Sequence, residues 1–323
     1  MASSDNAVNV AILDDYQNVA LKSADWSPLE GRATITVFND HLADPGRVVE
    51  RLRPFDVVCV MRERTPLSRD ILVQLPRLRL IASTASRNAS IDVAAAAELG
   101  IEIAHTGYES SPTVELTWAL IMAAARNIVA ENTSLRSGGW QKTVGSGLRG
   151  KTLGVLGLGN IGSQIARIGG VFGMEVVAWS QNLTAEKAQA CGARLVSKVE
   201  LLQQADIATI HLILSRRTRQ LIGQADLAIM KPTAWLVNTS RGPIVEEGAL
   251  IEALRKHTIA GAALDVFDTE PLTADHPFRS LDNVLATPHI GYVSQELYAT
   301  FYGDTVANIA AFLDRRPGGA SAG

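Results

Sequence analysis

Short apolar runs separated by stretches of helical periodicity recur along this chain, and that alternation restricts its fold more than any other feature. VNVAIL (8–13), ATITVF (33–38), DVVCV (56–60), LRLIAS (78–83) and IEIAH (101–105) read as buried strands, with a helix in IDVAAAAELG closed by Gly100. A second series follows in TLGVLG (152–157), EVVAW (175–179), ARLVS (193–197), DIATIHL (206–212), WLVNTS (235–240), GAALDVF (261–267) and NVLATPH (283–289). Such alternation builds parallel sheets with helices on both faces. At 323 residues the chain is long enough for two units of this kind, each with its own core. The expected class is α/β, with two doubly wound domains.

Between the two series, Ser111-Pro112 and the apolar TVELTWALIMAAARNIVAENTSLR read as one Ser-capped helix of roughly six turns. A last helix is expected from about Ser294 to Leu313, with the tail RRPGGASAG fraying beyond it. Hydrophobic residues make up 47% and charged residues 20%, a globular balance. The net charge of −3 supplies no basic field for a phosphate backbone or an anionic bilayer, so neither nucleic acid nor membrane is expected as a partner. Cys59 and Cys191 lie too far apart to suggest a disulfide framework. No apolar run approaches the ~18 residues of a span, and the N-terminus has no signal-peptide pattern. The expected setting is the reducing cytoplasm, and no metal-ligand spacing is present.

The stretch LGVLGLGNIG (153–162) sets a G-x-G-x-x-G frame between a strand and a helix. A lone frame of this kind is weak, but the flanking elements are those a dinucleotide needs. Gly157 makes the turn, Gly159 admits the pyrophosphate, Gly162 lets helix approach strand, and the helix N-terminus at Asn160 and Ile161 faces the phosphates. After the next strand, Trp179-Ser180-Gln181 stands where a carboxylate would hold the ribose 2′-hydroxyl of NAD. No carboxylate appears before Glu186 and no arginine follows at once, so NAD or NADP is expected without a choice between them. Arg216, Arg217 and Arg219 follow the strand that ends at His211; a solvated loop is the expected reading, with contact to the adenine ribose as the alternative.

Arg241 in NTSRG, Glu270 in DVFDTEP and His289 in TPHIG all follow predicted strands, so all fall on the carboxyl edge where ligands of open α/β sheets collect. Singly, Arg241 could pair with Glu246 or Glu247, Glu270 could be a loop acid, and His289 could be an ordinary turn histidine. Together, and in the order GLGNIG, NTSRG, LDVFDTEP, TPHIG, they resemble the D-isomer-specific 2-hydroxyacid dehydrogenases, in the branch of phosphoglycerate dehydrogenases and glyoxylate/hydroxypyruvate reductases. The resemblance spans nearly the whole chain.

That resemblance implies a Rossmann domain at 105–289 inserted into a flavodoxin-like substrate domain formed by 1–104 and 290–323, with domain closure over a cleft. It implies hydride transfer between NAD(P) and a small 2-keto or 2-hydroxy acid, with Arg241, Glu270 and His289 catalytic. It also implies cofactor contacts at His211, Thr239 and Asp265, and a homodimer formed through the cofactor domain. The residue types suit the chemistry. A histidine delivers a proton near neutral pH, a neighbouring carboxylate favours the imidazolium and orients it, and an arginine fork takes a carboxylate.

The chain departs from the family in its substrate loop, where STASRNASID (83–92) lacks the usual glycines. Ser86, Arg87 and Asn88 are the expected substrate contacts there. Arg62 and Arg64 are expected on the strand before, where the phosphoglycerate branch meets a phosphate, and Tyr292 beyond His289. Tyr108 and Trp140 are compatible with either a cleft or packing. Ile213 replaces the family's usual proline near the adenine pocket. Competing readings are a phosphite-type dehydrogenase of the same superfamily and a nucleotide-sensing, corepressor-like scaffold. Glu270 argues against the formate branch, which pairs its histidine with glutamine.

Overall fold

β-branched and aliphatic runs become strands where the alternation puts them, because each is long enough to cross a sheet and apolar enough to be covered on both faces. In the computed structural model, which describes residues 7–315, the chain begins with β1 (Val8–Ile12), β2 (Ala33–Val37), α1 (Pro45–Leu52), β3 (Val57–Val60), α2 (Arg69–Leu72), β4 (Leu80–Ser83), α3 (Val93–Glu98) and β5 (Glu102–His105). It continues with α4 (Ser111–Ala125), α5 (Ile128–Arg136), β6 (Thr152–Leu156), α6 (Asn160–Val171), β7 (Glu175–Trp179), α7 (Ala185–Gln189), β8 (Arg194–Leu195), α8 (Lys198–Gln204) and β9 (Ile207–Ile210). Then come α9 (Gln224–Ala228), β10 (Trp235–Asn238), α10 (Glu247–Arg255), β11 (Gly261–Leu264), β12 (Val284–Ala286) and α11 (Gln295–Asp314).

Two units result, Met1–Glu109 with Val293–Gly323, and Ser110–Tyr292. The boundaries fall a few residues beyond the expected 104/105 and 289/290. His105 completes β5 of the first unit, and Tyr292 stays with the second.

The first unit's sheet has the order β2-β1-β3-β4-β5, parallel throughout, with Val10 in register with Ile35 and Val57. Val58, Ile81, Leu52 and Leu72 are fully buried in its core, and α11 packs against β4 and β5. Ser294 caps α11 by accepting the Leu297 amide at 3.2 Å. Of the tail expected to fray, residues 316–323 lie outside the described residues.

The second unit's sheet has the order β12-β11-β10-β9-β6-β7-β8, also parallel. Leu156, Leu236, Leu254 and Ile210 bury one face, and Val155, Ile165, Val237 and Ala263 the other. The order reverses between β6 and β9, which opens a crevice beyond their carboxyl ends.

Two expectations for the connecting helix need correction. It is not continuous: Asn127 takes the left-handed conformation (φ 51°), and α4 and α5 diverge by 65°. Asparagine adopts that conformation at little cost, and helical propensity alone did not reveal the break. The N-cap is Ser110 rather than Ser111, and its hydroxyl does not cap the helix. Instead it accepts Asn160 Nδ2 and Gln164 Nε2, each at 3.1 Å, which ties α4 to α6. Among the described residues no single helix is long and apolar enough to cross a membrane.

The approach of α6 to β6 depends on Gly162, where an added Cβ would overlap the Gly157 carbonyl oxygen. Neither partner is a flexible side chain, so the backbone itself would have to move. Gly162→Ala should therefore destabilise the second unit by about 3 kcal/mol, read as a lowered midpoint in denaturant. A midpoint equal to that of the unmodified chain would show that the turn has slack the geometry does not display.

Candidate active site

The turn after β6 enters the crevice with Gly157 at φ 98°, its amide donating to the Trp179 carbonyl at 2.8 Å. A Cβ on Gly157 would stand 2.5 Å from the His211 carbonyl, so the ends of β6, β7 and β9 meet here. Gly159 precedes α6 as its N-cap with no side chain over the first turn, and nothing lies within 4 Å of its Cβ position. The first amides of α6 thus face open space, an arrangement that fits a pyrophosphate.

Asn160 turns its side chain to Ser110, and Ile161 packs on the core, so each serves the turn by shaping it. Trp179 is half-buried, Ser180 half-buried and Gln181 exposed. His211 points Nε2 at Thr209 Oγ1, 2.9 Å away, and burial pushes its imidazole down to about 3, which makes it neutral. Ile213 and the Arg216, Arg217 and Arg219 side chains lie on an exposed loop.

The three candidate catalytic residues sit on loops after β10, β11 and β12. Asn238 folds the first loop by donating Nδ2 to the Arg241 carbonyl and accepting the Ser240 amide, both at 3.0 Å. Gly242 then brings this loop against the second: a Cβ would overlap the Phe267 carbonyl. In the second loop Glu270 Oε1 accepts the Phe267 amide at 2.9 Å. Its other oxygen, Oε2, lies 2.5 Å from His289 Nδ1, which leaves Nε2 as the nitrogen for exchange.

Asp265 fixes the third loop. It is 1% exposed, and its Oδ1 accepts Thr287 Oγ1 (2.7 Å) and the Ile290 amide (2.8 Å), while Oδ2 accepts the Gly291 amide (2.8 Å). His289 sits inside that turn at φ 52°, a strained position for a side-chain-bearing residue. Tyr292 is buried with its ring edge-on to His289, centroids 5.6 Å apart.

Burial alone would raise the Glu270 carboxyl. The His289 ring, the Phe267 amide and the Arg241 charge outweigh it and hold the group below the ordinary glutamate range. Burial also raises the Asp265 carboxyl, against the pull of the Thr287 hydroxyl and the loop amides. A further clamp acts on the second loop: His276 Nε2 lies 3.2 Å from Glu247 Oε1, and the Phe278 amide donates to His276 Nδ1 at 3.3 Å.

In the first unit, the carboxyl edge of the sheet carries the residues expected to meet substrate. Arg62 takes φ 53°, with its amide on Thr84 Oγ1 (2.7 Å) and its guanidinium 5.3 Å over the Tyr108 ring. Arg64 is held differently: Nη1 donates to the Asp14 carbonyl at 2.8 Å and the guanidinium lies 4.5 Å over Tyr16. Asn88 is buried, donating to the Arg62 carbonyl (2.5 Å) and accepting the Ser90 amide (3.0 Å), so its side chain organises the loop. Ser86 and Arg87 are exposed, and their amides donate to no group among the described residues. The glycine-free loop still makes a left-handed turn, at Ala85 (φ 62°), clamped by its amide on Thr106 Oγ1 (2.9 Å) and its carbonyl 3.1 Å from His105 Nδ1.

Residues 118–291 match the family model for the NAD binding domain of D-isomer specific 2-hydroxyacid dehydrogenases. The chain belongs to that family. It is 44% identical to a glyoxylate reductase of Aeropyrum pernix over 75% of this chain and 76% of that protein. Against a D-3-phosphoglycerate dehydrogenase of Methanocaldococcus jannaschii it is 40% identical over 77% of this chain, but covers only 48% of that longer protein. Among solved structures it is similar to a phosphoglycerate oxidoreductase of Vibrio cholerae, with a TM-score of 0.91, 37% identity, and 96% and 100% of the two chains covered. This member of the 2-hydroxyacid dehydrogenases is an NAD(P)-dependent oxidoreductase acting on the CH–OH group of its donor.

Several residues on which the dehydrogenase site depends carried no mark in the sequence. Gly242 reads only as part of NTSRG, and the clamp of Ala85 by Thr106 needs the pairing of β4 with β5. The carboxylate of Asp265, a residue expected at the cofactor, accepts hydrogen bonds from the His289 turn.

A glutamate held below its ordinary value stabilises the fold at pH above that value, about 4.5, and the stabilisation is lost as pH falls through the lower folded value. The thermal midpoints of the unmodified chain and Glu270→Gln should therefore differ at pH 7 and converge in acid below about 4.5. A difference constant across that range would show that Glu270 is not held as a paired carboxylate.

Proposed function

We propose that this chain reduces a small 2-keto acid to the D-2-hydroxy acid, reversibly, with His289 exchanging the proton at the substrate oxygen. Bound NAD(P)H supplies the hydride. Gly157, Gly159 and Gly162, with the first turn of α6, would hold its pyrophosphate, and Ser180 and Gln181 would lie toward its adenine ribose. Glu270 holds the imidazole through Nδ1 and so orients it, leaving Nε2 to donate as the carbonyl becomes an alkoxide. Arg241 places a planar fork at the substrate carboxylate and a positive charge beside the developing oxyanion. The observation that carries this reading is the 2.5 Å pairing of His289 Nδ1 with Glu270 Oε2, with the Arg241 charge acting on the same carboxylate.

Within the first unit taken by itself, the open amides of Ser86 and Arg87 suit a carboxylate, and Arg62 suits a second anionic group. Arg64, Asn88 and Tyr292 shape the neighbouring loops and rings. The 44% identity to a glyoxylate reductase supports a short keto acid such as glyoxylate or hydroxypyruvate. Two free cysteines, one buried, agree with a cytoplasmic setting.

A homodimer through the second unit is also proposed. The segment after α5 is folded back on that helix, with Glu131 accepting the amides of Lys142 (3.2 Å) and Thr143 (2.7 Å) and Ser134 Oγ donating to the Trp140 carbonyl (3.0 Å). Yet it leaves Trp140 74% and Val144 98% exposed, an ordered apolar surface that suits a second copy. The double substitution Trp140→Glu, Val144→Glu should shift the chain from dimer to monomer in sedimentation. A monomeric parent, or an unmoved dimer, would remove this surface from consideration.

Oxidation of NADH and of NADPH, followed in parallel against glyoxylate, hydroxypyruvate, pyruvate and phenylpyruvate, tests the reaction. Turnover is expected with at least one, and His289→Asn should lower kcat by roughly 10²–10⁴-fold while cofactor still binds. A substituted enzyme as fast as its parent would refute the role given to His289.

A further inference from the structure

α4 packs across β10 and β11 and turns two threonines, one helical turn apart, toward the loops that follow β10 and β12. Thr117 is fully buried and Thr113 nearly so. The Thr117 hydroxyl donates to the Thr113 carbonyl at 2.7 Å, the back-bond to residue i−4 that a helical threonine favours. Its single proton is thereby engaged, so in the 2.8 Å contact between Thr117 Oγ1 and Thr239 Oγ1 the proton comes from Thr239. The Thr113 hydroxyl donates to the Gly291 carbonyl at 3.0 Å. Thr239 lies two residues before Arg241, and Gly291 two residues after His289. One face of one helix therefore holds both of these loops by side-chain hydrogen bonds.

We propose that Thr113 and Thr117 are positioning residues which set the placement of Arg241 relative to His289. The inference rests on the catalytic reading above, in which the arginine must meet the carboxylate of a substrate whose carbonyl oxygen receives the histidine's proton. Two loops anchored only to their own strands could each shift without the other. A common tether on a rigid helix removes that freedom, and a displacement near 1 Å at a reacting centre costs on the order of 10²-fold in rate. Thr239, a residue expected at the cofactor, thus also meets α4 through its hydroxyl.

The hydroxyl, rather than the shape, is what the proposal requires, and substitutions separate the two. Thr117→Val keeps the volume and removes the acceptor; it should lower kcat by roughly 10- to 100-fold with NADH affinity, read by fluorescence titration, unchanged. Thr117→Ser restores the hydroxyl and should restore most of the rate. Thr117→Val leaves the Thr239 hydroxyl without its acceptor and should also lower the thermal midpoint, whereas the double substitution Thr117→Val, Thr239→Val removes both polar partners and should recover it. A tether acting through position leaves that double variant slow although stable, and this result supports the proposal. Recovery of rate together with the midpoint, or a single Thr117→Val enzyme as fast as its parent, overturns it. Thr113→Val, which breaks the bond to the Gly291 carbonyl, carries the same kinetic expectation and decides the matter if Thr117→Val does not fold. His289→Asn measured alongside separates the two levels. If that variant is inactive and Thr117→Val is not impaired, only the tether fails; if His289→Asn turns over normally, the catalytic reading fails and the tether with it.

Discussion

The second unit's site depends on a single buried carboxylate. Asp265 follows β11 directly, its amide bonded to the Asn238 carbonyl, so its position is set by the sheet. Removing such a group from water costs several kcal/mol unless donors surround it, and the donors are the Thr287 hydroxyl and the Ile290 and Gly291 amides. The turn between β12 and α11 must close around the carboxylate to meet that requirement. In closing, it forces His289 into a left-handed conformation that a histidine would not choose alone. The pairing of His289 with Glu270 then completes a ring of constraints, since Glu270 belongs to the loop that Asp265 begins.

That ring explains which parts of the molecule could be read in advance. Strand identities were legible because burial on both faces demands continuous apolar runs, and Val57–Val60 or Leu80–Ser83 have no other stable use. The placement of Arg241, Glu270 and His289 was legible because parallel topology sends the end of every strand to one edge. What the sequence hid were pairings across long separations. Thr117 with Thr239, Ser110 with Gln164 and Gly242 with Phe267 are each ordinary residues until the sheet order brings them together. Arg62 and Arg64 illustrate the point at close range. They have the same chemistry two positions apart, yet one is tethered to the Asp14 carbonyl and lies over the face of Tyr16, while the other lies over Tyr108 at a strained backbone position.

The broken helix was hidden for a different reason. Its residues suit a continuous helix well enough, and only tertiary demand selects the left-handed state at Asn127. α4 can then lie over the sheet while α5 leaves it, which frees the following segment to fold back on α5 through Glu131. Local preference permitted the bend and packing required it.

Ala85 carries a consequence for the anion seat proposed at Ser86 and Arg87. Where a glycine would wander among several backbone basins before and after an encounter, an alanine clamped at φ 62° by Thr106 and His105 has one. The exposed amides beside it are consequently set before any guest arrives. A seat prepared in this way gives up little disorder on occupation, so its selectivity is a matter of fit rather than of adaptation. On that proposal, guests of the wrong size are refused at the rim instead of being accommodated by a rearranging loop.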